Sequence, residues 1–350
     1  GALFAGRYEL VDPLGAGGAG VVWRAWDHRE GRYVAAKVLR KVDATSLIRF
    51  VREQSYRIDH PHVLTPLGWA ADDDQVLLSM PLVTGGSLAT LLGDYGALPP
   101  QWVARILDQV LAALEAIHGA GLVHRDVTPA NVLLDATGMA EPRVRLGDFG
   151  VAVAVNEPRL TEHAVVLGTP GYVAPETLTG DSDPLPAADL YAAGMLGWEL
   201  LTGSRPERGG APGTASSGAA GPLAAVLEAL TSPRPTDRPE SASHARRLLG
   251  EAGLLEAPLG EEIEVFTQLP ELPEAWGEDG PITTTTAQPQ PDGPRAETGV
   301  PGSAPRGDSA RDAVPPLEGQ PSQRRASPVV PVLAIIAGLG LLVAALWMLF

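Results

Sequence analysis

The chain has no cysteine among its 350 residues. That excludes a disulfide framework and a thiolate metal site, and it fits a cytoplasmic domain. Lysine occurs twice and asparagine twice, against 24 arginines. With Ala, Gly and Pro abundant, this reads as GC-rich coding bias. Residues that persist against such a bias are informative, and two of them are Lys37 and Asn131. The formal charge of −16 argues against nucleic acid as a partner, because phosphate binding requires clustered Lys and Arg. The length allows one large domain or two, with a sizeable core.

Residues 1–254 alternate periodic apolar segments with short turns, as a folded domain does. From 255 to 328 the composition shifts. Residues 255–323 hold 12 prolines, 13 acidic residues and three arginines. Such a segment buries too little apolar surface to offset its ordering entropy, so it reads as a disordered, extended linker. Val329–Phe350 follows, 22 residues without a charge. As a helix it is roughly 33 Å long, enough to cross the hydrocarbon core. Arg324 and Arg325 precede it and, by the positive-inside rule, hold its N-terminal side in the cytoplasm. The expectation is a single-pass protein of the cell membrane, with residues 1–254 cytoplasmic.

Leu14-Gly15-Ala16-Gly17-Gly18-Ala19-Gly20-Val21-Val22 matches G-x-G-x-x-G-x-V. In a chain with 40 glycines such a run also arises by chance, so its context matters. A dinucleotide fold needs a helix directly after the glycines. Here Val21–Trp26 reads as a strand. Tyr33-Val34-Ala35-Ala36-Lys37-Val38-Leu39 reads as another strand, carrying one lysine. Trp102–Gly121 has apolar residues at helical spacing (Ile106, Val110, Leu111, Leu114, Ile117) and reads as core. Farther along stand His124-Arg125-Asp126-Val127-Thr128-Pro129-Ala130-Asn131, then Asp148-Phe149-Gly150, then Ala174-Pro175-Glu176. A single H-R-D triplet is uninformative. All these motifs in this order are very specific.

Together they resemble the bacterial eukaryotic-like (Hanks-type) serine/threonine protein kinases, in a membrane-anchored, actinobacterial version. The resemblance covers about residues 1–254. It implies an α+β fold of two lobes: a β-rich N-lobe over about 1–83 and a helical C-lobe over about 84–254. The implied reaction transfers the γ-phosphate of ATP, with Mg²⁺, to Ser or Thr hydroxyls of protein substrates. The glycine run would cover the phosphates with backbone N–H groups. Lys37 would hold the α- and β-phosphates, and Val22, Ala35 and Leu133 would enclose adenine. Met80 would gate the back pocket. Pro81 and Val83 would offer the backbone bonds to adenine, with Pro81 needed only for its carbonyl. Asp126 would orient the attacking hydroxyl or accept its proton. Asn131 and Asp148 would hold Mg²⁺. Glu176 and Arg238 would form a structural ion pair, and Asp189–Gly194 a buried helix anchoring the catalytic loop.

Three departures from the family pattern stand out. Thr128 replaces the usual lysine that contacts the γ-phosphate, which leaves two readings: a working kinase, or a nucleotide-binding pseudokinase or signalling scaffold. Glu53 is the candidate partner of Lys37, but His60 lies seven residues beyond it where the family has nine. Either two residues are deleted from that helix or the ion pair is missing. Finally, Gly209–Gly221 is too rich in glycine to hold the usual substrate-docking helix cheaply, so a reduced docking surface is expected. Thr161 is the candidate activation-loop phosphosite, with Arg125 as its partner. Tethering copies on one membrane would favour self-association and phosphorylation in trans.

Overall fold

Residues alternating between apolar and polar along the first eighty positions build a six-stranded antiparallel sheet. Its strands are β1 (Leu3–Phe4), β2 (Tyr8–Gly17), β3 (Gly20–Asp27), β4 (Arg32–Arg40), β5 (Gly68–Asp72) and β6 (Gln75–Met80), in the order β1-β2-β3-β4-β6-β5. The computed structural model describes residues 3–17, 20–40, 58–72, 75–148, 153–154, 169–178, 185–207, 221–259 and 263–282, all within Gly1–Thr285. One face of the sheet packs Tyr8, Ala25, Val34, Ala36, Val38 and Leu77 into a small core. The Tyr8 hydroxyl is 3.1 Å from Ser79 Oγ inside it. Because side chains alternate along a strand, Ala35 and Lys37 fall on the opposite face. The first consequence for function is therefore set by parity alone.

The second lobe is helical. α1 (Leu88–Tyr95) opens on a capping box in which Ser87 and Thr90 serve each other's backbone N–H, a device that satisfies two otherwise orphaned donors. α2 runs Pro100–Gly119, two residues earlier at each end than its apolar pattern indicates. Proline suits the first helical position, where no N–H bond is lost. Its buried stripe includes Trp102, Ile106, Val110, Leu111, Leu114 and Ile117. Each such side chain contributes about 1.5–3 kcal/mol by leaving water. The short strands β7 (Leu122–Val123), β8 (Val132–Leu134), β9 (Val144–Leu146) and β10 (Val153–Ala154) follow, pairing as β7·β10 and β8·β9. The helices are then α3 (Pro175–Leu178), α4 (Pro186–Thr202), α5 (Gly221–Leu230) and α6 (Ala242–Glu251).

α4 is buried on all sides, and glycine makes that possible. A Cβ at Gly197 would lie 2.4 Å from Leu227 Cδ2, and one at Gly194 would lie 2.8 Å from Leu230 Cβ. The two missing methyl groups let α4 and α5 approach closely.

The expected linker boundary at 255 needs correction. Residues 255–259 and 263–282 are ordered and packed on the domain. Ile263 and Val265 are buried in the large core. β11 (Trp276–Gly277) and β12 (Gly280–Pro281) form a small hairpin. Composition averaged over 255–323 concealed this, because the apolar residues Ile263, Val265, Leu269, Leu272 and Trp276 all sit near its start. There proline favours extended backbone over disorder. Residues 283–328, the uncharged segment 329–350 and Gly209–Ala220 of the expected docking-helix gap lie outside the described residues. Among the described residues no helix is long and apolar enough to cross a membrane.

Candidate active site

The glycine run folds as a hairpin. β2 and β3 pair Gly15 with Val22, Ala16 with Val21 and Gly17 with Gly20, so strand, turn and strand replace the helix that a dinucleotide site needs. Gly18 and Ala19 lie outside the described residues. Gly20 has φ +146°, and a Cβ there would lie 2.3 Å from the Val38 carbonyl oxygen. Only glycine fits at that point.

β4 carries Lys37 directly opposite Val22 on β3 and Leu78 on β6, while Ala35 pairs with Met80. Directly paired residues share a face. Val22, Ala35, Lys37 and Met80 therefore line one surface, as the sequence indicates. Pro81 and Val83 continue from β6 into the segment joining the lobes. That segment is held below by β8: the Gly85 N–H donates to the Leu134 carbonyl, and the Leu134 N–H donates to the Gly86 carbonyl. A bridge between Ser87 and Leu133 completes the register. Leu133 is thereby fixed beside the hinge, and Leu14 stands on β2 just before the glycines.

The catalytic loop is anchored from beneath. Asp189 in α4, 1% exposed, accepts from the backbone N–H groups of His124 (2.8 Å) and Arg125 (2.7 Å), and His118 Nε2 approaches it at 2.8 Å. These bonds hold Arg125 at φ +71°, and Asp148 sits at φ +64°. Non-glycine residues in that region are uncommon and concentrate at functional sites. His124 Nε2 lies 3.0 Å from the Gly147 carbonyl, and its Nδ1 receives the Asp126 N–H. A carbonyl needs a donor and an N–H needs an acceptor, so the ring is the neutral Nε2–H tautomer. One imidazole thus ties the Asp126 loop to the Asp148 turn.

The Asp126 carboxylate is held on both sides. Asn131 Nδ2 donates to its Oδ2 at 2.7 Å and to its backbone carbonyl at 2.8 Å. Thr169 donates to its Oδ1 from both its hydroxyl (2.7 Å) and its backbone N–H (3.2 Å). Thr169 was not singled out in the sequence, although it stands in the Gly168–Glu176 run; a single hydroxyl residue outside any helix or strand has no periodic signature. Thr128 is only 4% exposed and enters the 3₁₀ turn Pro129–Asn131 in extended conformation. The hydroxyl that steadies Asp126 comes from Thr169.

Lys37 Nζ donates to Asp148 Oδ1 at 2.5 Å. The described residues contain no cluster of three His, Asp or Glu side chains fit to hold a metal alone. Asn131 and Asp148 nevertheless suit Mg²⁺. Both close contacts of the Asn131 amide nitrogen are to oxygens, which leaves its carbonyl oxygen for a cation. An amide oxygen and a carboxylate, with phosphate and water completing the shell, match the preference of Mg²⁺.

Below the site, Arg238 closes a bidentate pair with Glu176 (2.6 and 2.8 Å). Arg238 also donates to the carbonyls of Ser232, Ala187 and Pro233. The Tyr172 hydroxyl donates to the Glu199 carboxylate. Burial first, and the Glu199 bond second, push the Tyr172 phenol far above its ordinary range. Glu53 and Thr161 lie outside the described residues.

Residues 8–249 match the protein kinase domain family. The serine/threonine-protein kinase PkaA of Streptomyces coelicolor is 37% identical over 269 residues, covering 69% of this chain and 49% of that protein. PknA of Mycobacterium tuberculosis is 34% identical over 259 residues, covering 71% of this chain and 57% of that protein. The chain thus spans about half the length of these curated relatives. The solved kinase domain of Mycobacterium tuberculosis PknI aligns with a TM-score of 0.58 at 28% identity, covering 72% of this chain and 98% of that domain.

Proposed function

The chain belongs to the protein kinase family, and from that premise we propose that it is a serine/threonine protein kinase using ATP and Mg²⁺. The observation that carries this reading is the Asp126 carboxylate, fixed between Asn131 and Thr169 in a loop that His124 ties to the turn presenting Asp148 to Lys37. A carboxylate held at both oxygens is a positioned acceptor for the proton of an incoming hydroxyl. The acceptor oxygen bonds to the γ-phosphorus as the bond to the leaving ADP oxygen breaks, and the hydroxyl proton goes to Asp126. Lys37 binds the α- and β-phosphates. Asn131 and Asp148 would hold Mg²⁺, which would supply neutralisation of charge on the phosphate oxygens.

Thr128 lacks the cation that the family places near the γ-phosphate. By analogy with removal of one oxyanion donor, this lowers the rate about 10²–10³-fold. A slow enzyme results, because kinases commonly turn over at roughly 1–100 per second.

The proposal extends to the rest of the chain. Residues 329–350 anchor the protein in the cell membrane as a single span, with the kinase domain cytoplasmic. Their uncharged length supports this, as do Arg324 and Arg325. Tethered copies phosphorylate one another on Thr161. The partners are proteins with Ser or Thr acceptors, and the net charge of −16 argues against nucleic acid.

Transfer of labelled γ-phosphate from Mg-ATP to a generic protein acceptor tests the core claim, with Asp126→Ala as control. Transfer by the parent and not by the variant is expected. No transfer by the parent at micromolar concentration would overturn the reading.

A further inference from the structure

Residues 263–282 touch both lobes. On the helical lobe, Val265 exchanges backbone hydrogen bonds with Gly138, each 2.9 Å, and its side chain is 2% exposed. The Tyr95 hydroxyl bonds both the N–H and the carbonyl of Glu264. The segment next meets the connection between the lobes, where the Gln268 N–H donates to the Thr84 carbonyl at 2.7 Å. It then reaches the sheet. Arg24, already paired with Asp12 on β2, donates to the carbonyls of Pro270 and Glu271. The Tyr33 hydroxyl donates to the Gly277 carbonyl at 2.6 Å.

The hairpin at the far end is seated on aromatic rings. Trp276 is 8% exposed, and its ring lies 6.2 Å from that of Tyr33, which in turn meets Trp26 edge-on at 4.9 Å. Gly280 has φ +105°, and a Cβ there would strike the Trp26 indole at 2.6 Å. The strap therefore has a fitted site at each end and a bond to the hinge between them. These residues lie beyond position 249, where the family match ends.

We propose that residues 263–282 form a built-in clamp across the hinge, which sets the separation of the two lobes and so the affinity for ATP. The proposal rests on the ATP-binding reading above. Hinge closure requires a few connecting residues to change their backbone angles. A segment bonded to Thr84 and to a lobe on either side restricts that change. Holding the lobes near their nucleotide-bound spacing reduces the ordering that ATP must impose. By linkage, ATP must tighten the strap by the factor with which the strap tightens ATP.

The full chain provides the test. Because it has no cysteine, Val265→Cys introduces a unique thiol at the buried foot of the strap. Two variants loosen the other end: Trp276→Ala, and the milder Tyr33→Phe, which removes one donor and leaves the ring. Calorimetry gives the Mg-ATP affinity, and thiol labelling gives release of the strap. Each loosening change is expected to weaken Mg-ATP binding by about fivefold or more and to speed labelling at position 265. Saturating Mg-ATP should slow that labelling in the parent background. Faster labelling with unchanged Mg-ATP affinity would overturn the clamp while leaving the ATP site intact. Failure of the unaltered chain to bind Mg-ATP would instead overturn the functional reading, and the clamp with it.

Discussion

Lys37 Nζ, from the middle of β4, donates to Asp148 Oδ1 on the helical lobe at 2.5 Å. The group proposed to bind phosphate thus neutralises the group proposed to bind metal. Phosphate and cation would each replace one partner of this pair, so both residues are pre-aimed at the same space. Lys37→Met is expected to lower kcat/KM about 10²–10³-fold, the size of a lost transition-state charge contact. Asp148→Asn is expected to lower it as far, but with a dependence on metal: raising Mg²⁺ restores part of the rate. Steady-state kinetics over a Mg²⁺ series checks this. An equal deficit at every Mg²⁺ concentration would make Asp148 merely the partner of Lys37.

The pair of hydrogen bonds that Thr169 donates to Asp126 Oδ1 makes a separate claim. Thr169→Val removes the hydroxyl donor and keeps the shape and the backbone N–H. A hydrogen bond to a charged group contributes about 1.5–3 kcal/mol, so kcat should fall roughly 10–100-fold with little change in KM for ATP. Thr169→Ser should restore kcat. Loss of ATP affinity with the rate preserved would show that Thr169 shapes the nucleotide pocket and does not hold the base.

The Arg238–Glu176 pair is structural. The Arg238 side chain is 0% exposed and five of its contacts are hydrogen bonds to oxygen. Removing Arg238 deprives the largely buried Glu176 carboxylate of its bidentate partner, at a cost of about 3–5 kcal/mol. Arg238→Ala should lower the denaturation midpoint accordingly. Arg238→Lys should recover little, because a point charge cannot reproduce the bidentate fork.

Alkaline pH should weaken the fold through Tyr172. Its folded-state pKa is raised above the ordinary tyrosine value of about 10, chiefly by burial and then by the Glu199 bond. The neutral phenol is therefore favoured in the folded chain. Its contribution is fully present below pH 10 and declines above it, where the unfolded chain loses a proton that the folded chain keeps. Each such tyrosine adds a slope of about 1.4 kcal/mol per pH unit. Tyr33 and Tyr191 shift in the same direction, so Tyr172→Phe should remove one part of the slope. Denaturant titrations between pH 9 and 11 measure it. An unchanged slope would mean that Tyr172 ionises as readily folded as unfolded.

Parity and order made much of the site legible. Ala35 and Lys37 share a face because strands alternate, and Asp126 and Asn131 meet because a short loop ending in a 3₁₀ turn folds Asn131 back on Asp126, five positions earlier. Glu176 and Arg238 were paired through the family resemblance. Thr169 and the strap were not legible, for different reasons. Thr169 bonds Asp126 across 43 positions, and no local pattern marks such a contact. Residues 263–282 lack periodicity because they form no long element: they are held by scattered bonds to Gly138, Tyr95, Thr84, Arg24 and Tyr33. Their apolar anchors were diluted by the prolines and acids that follow.

Two glycines of one motif should behave differently, and the contrast separates folding from nucleotide binding. Around Gly15 a Cβ meets nothing within 4 Å, whereas at Gly20 it would lie 2.3 Å from the Val38 carbonyl oxygen at φ +146°. Gly20→Ala must therefore displace β3 from β4, the pairing that sets Val22 against Lys37, and strain of that kind costs about 1–3 kcal/mol before the clash is counted. Lower stability and weaker ATP binding should appear together. Gly15→Ala has room in the fold, so its midpoint should stay within about 1 kcal/mol of the parent. If the hairpin covers phosphates with its backbone, the added methyl group intrudes there, and Mg-ATP affinity alone should drop. Denaturation and calorimetry on the two variants decide the matter: unchanged affinity in Gly15→Ala would place the phosphates away from the Gly15 backbone.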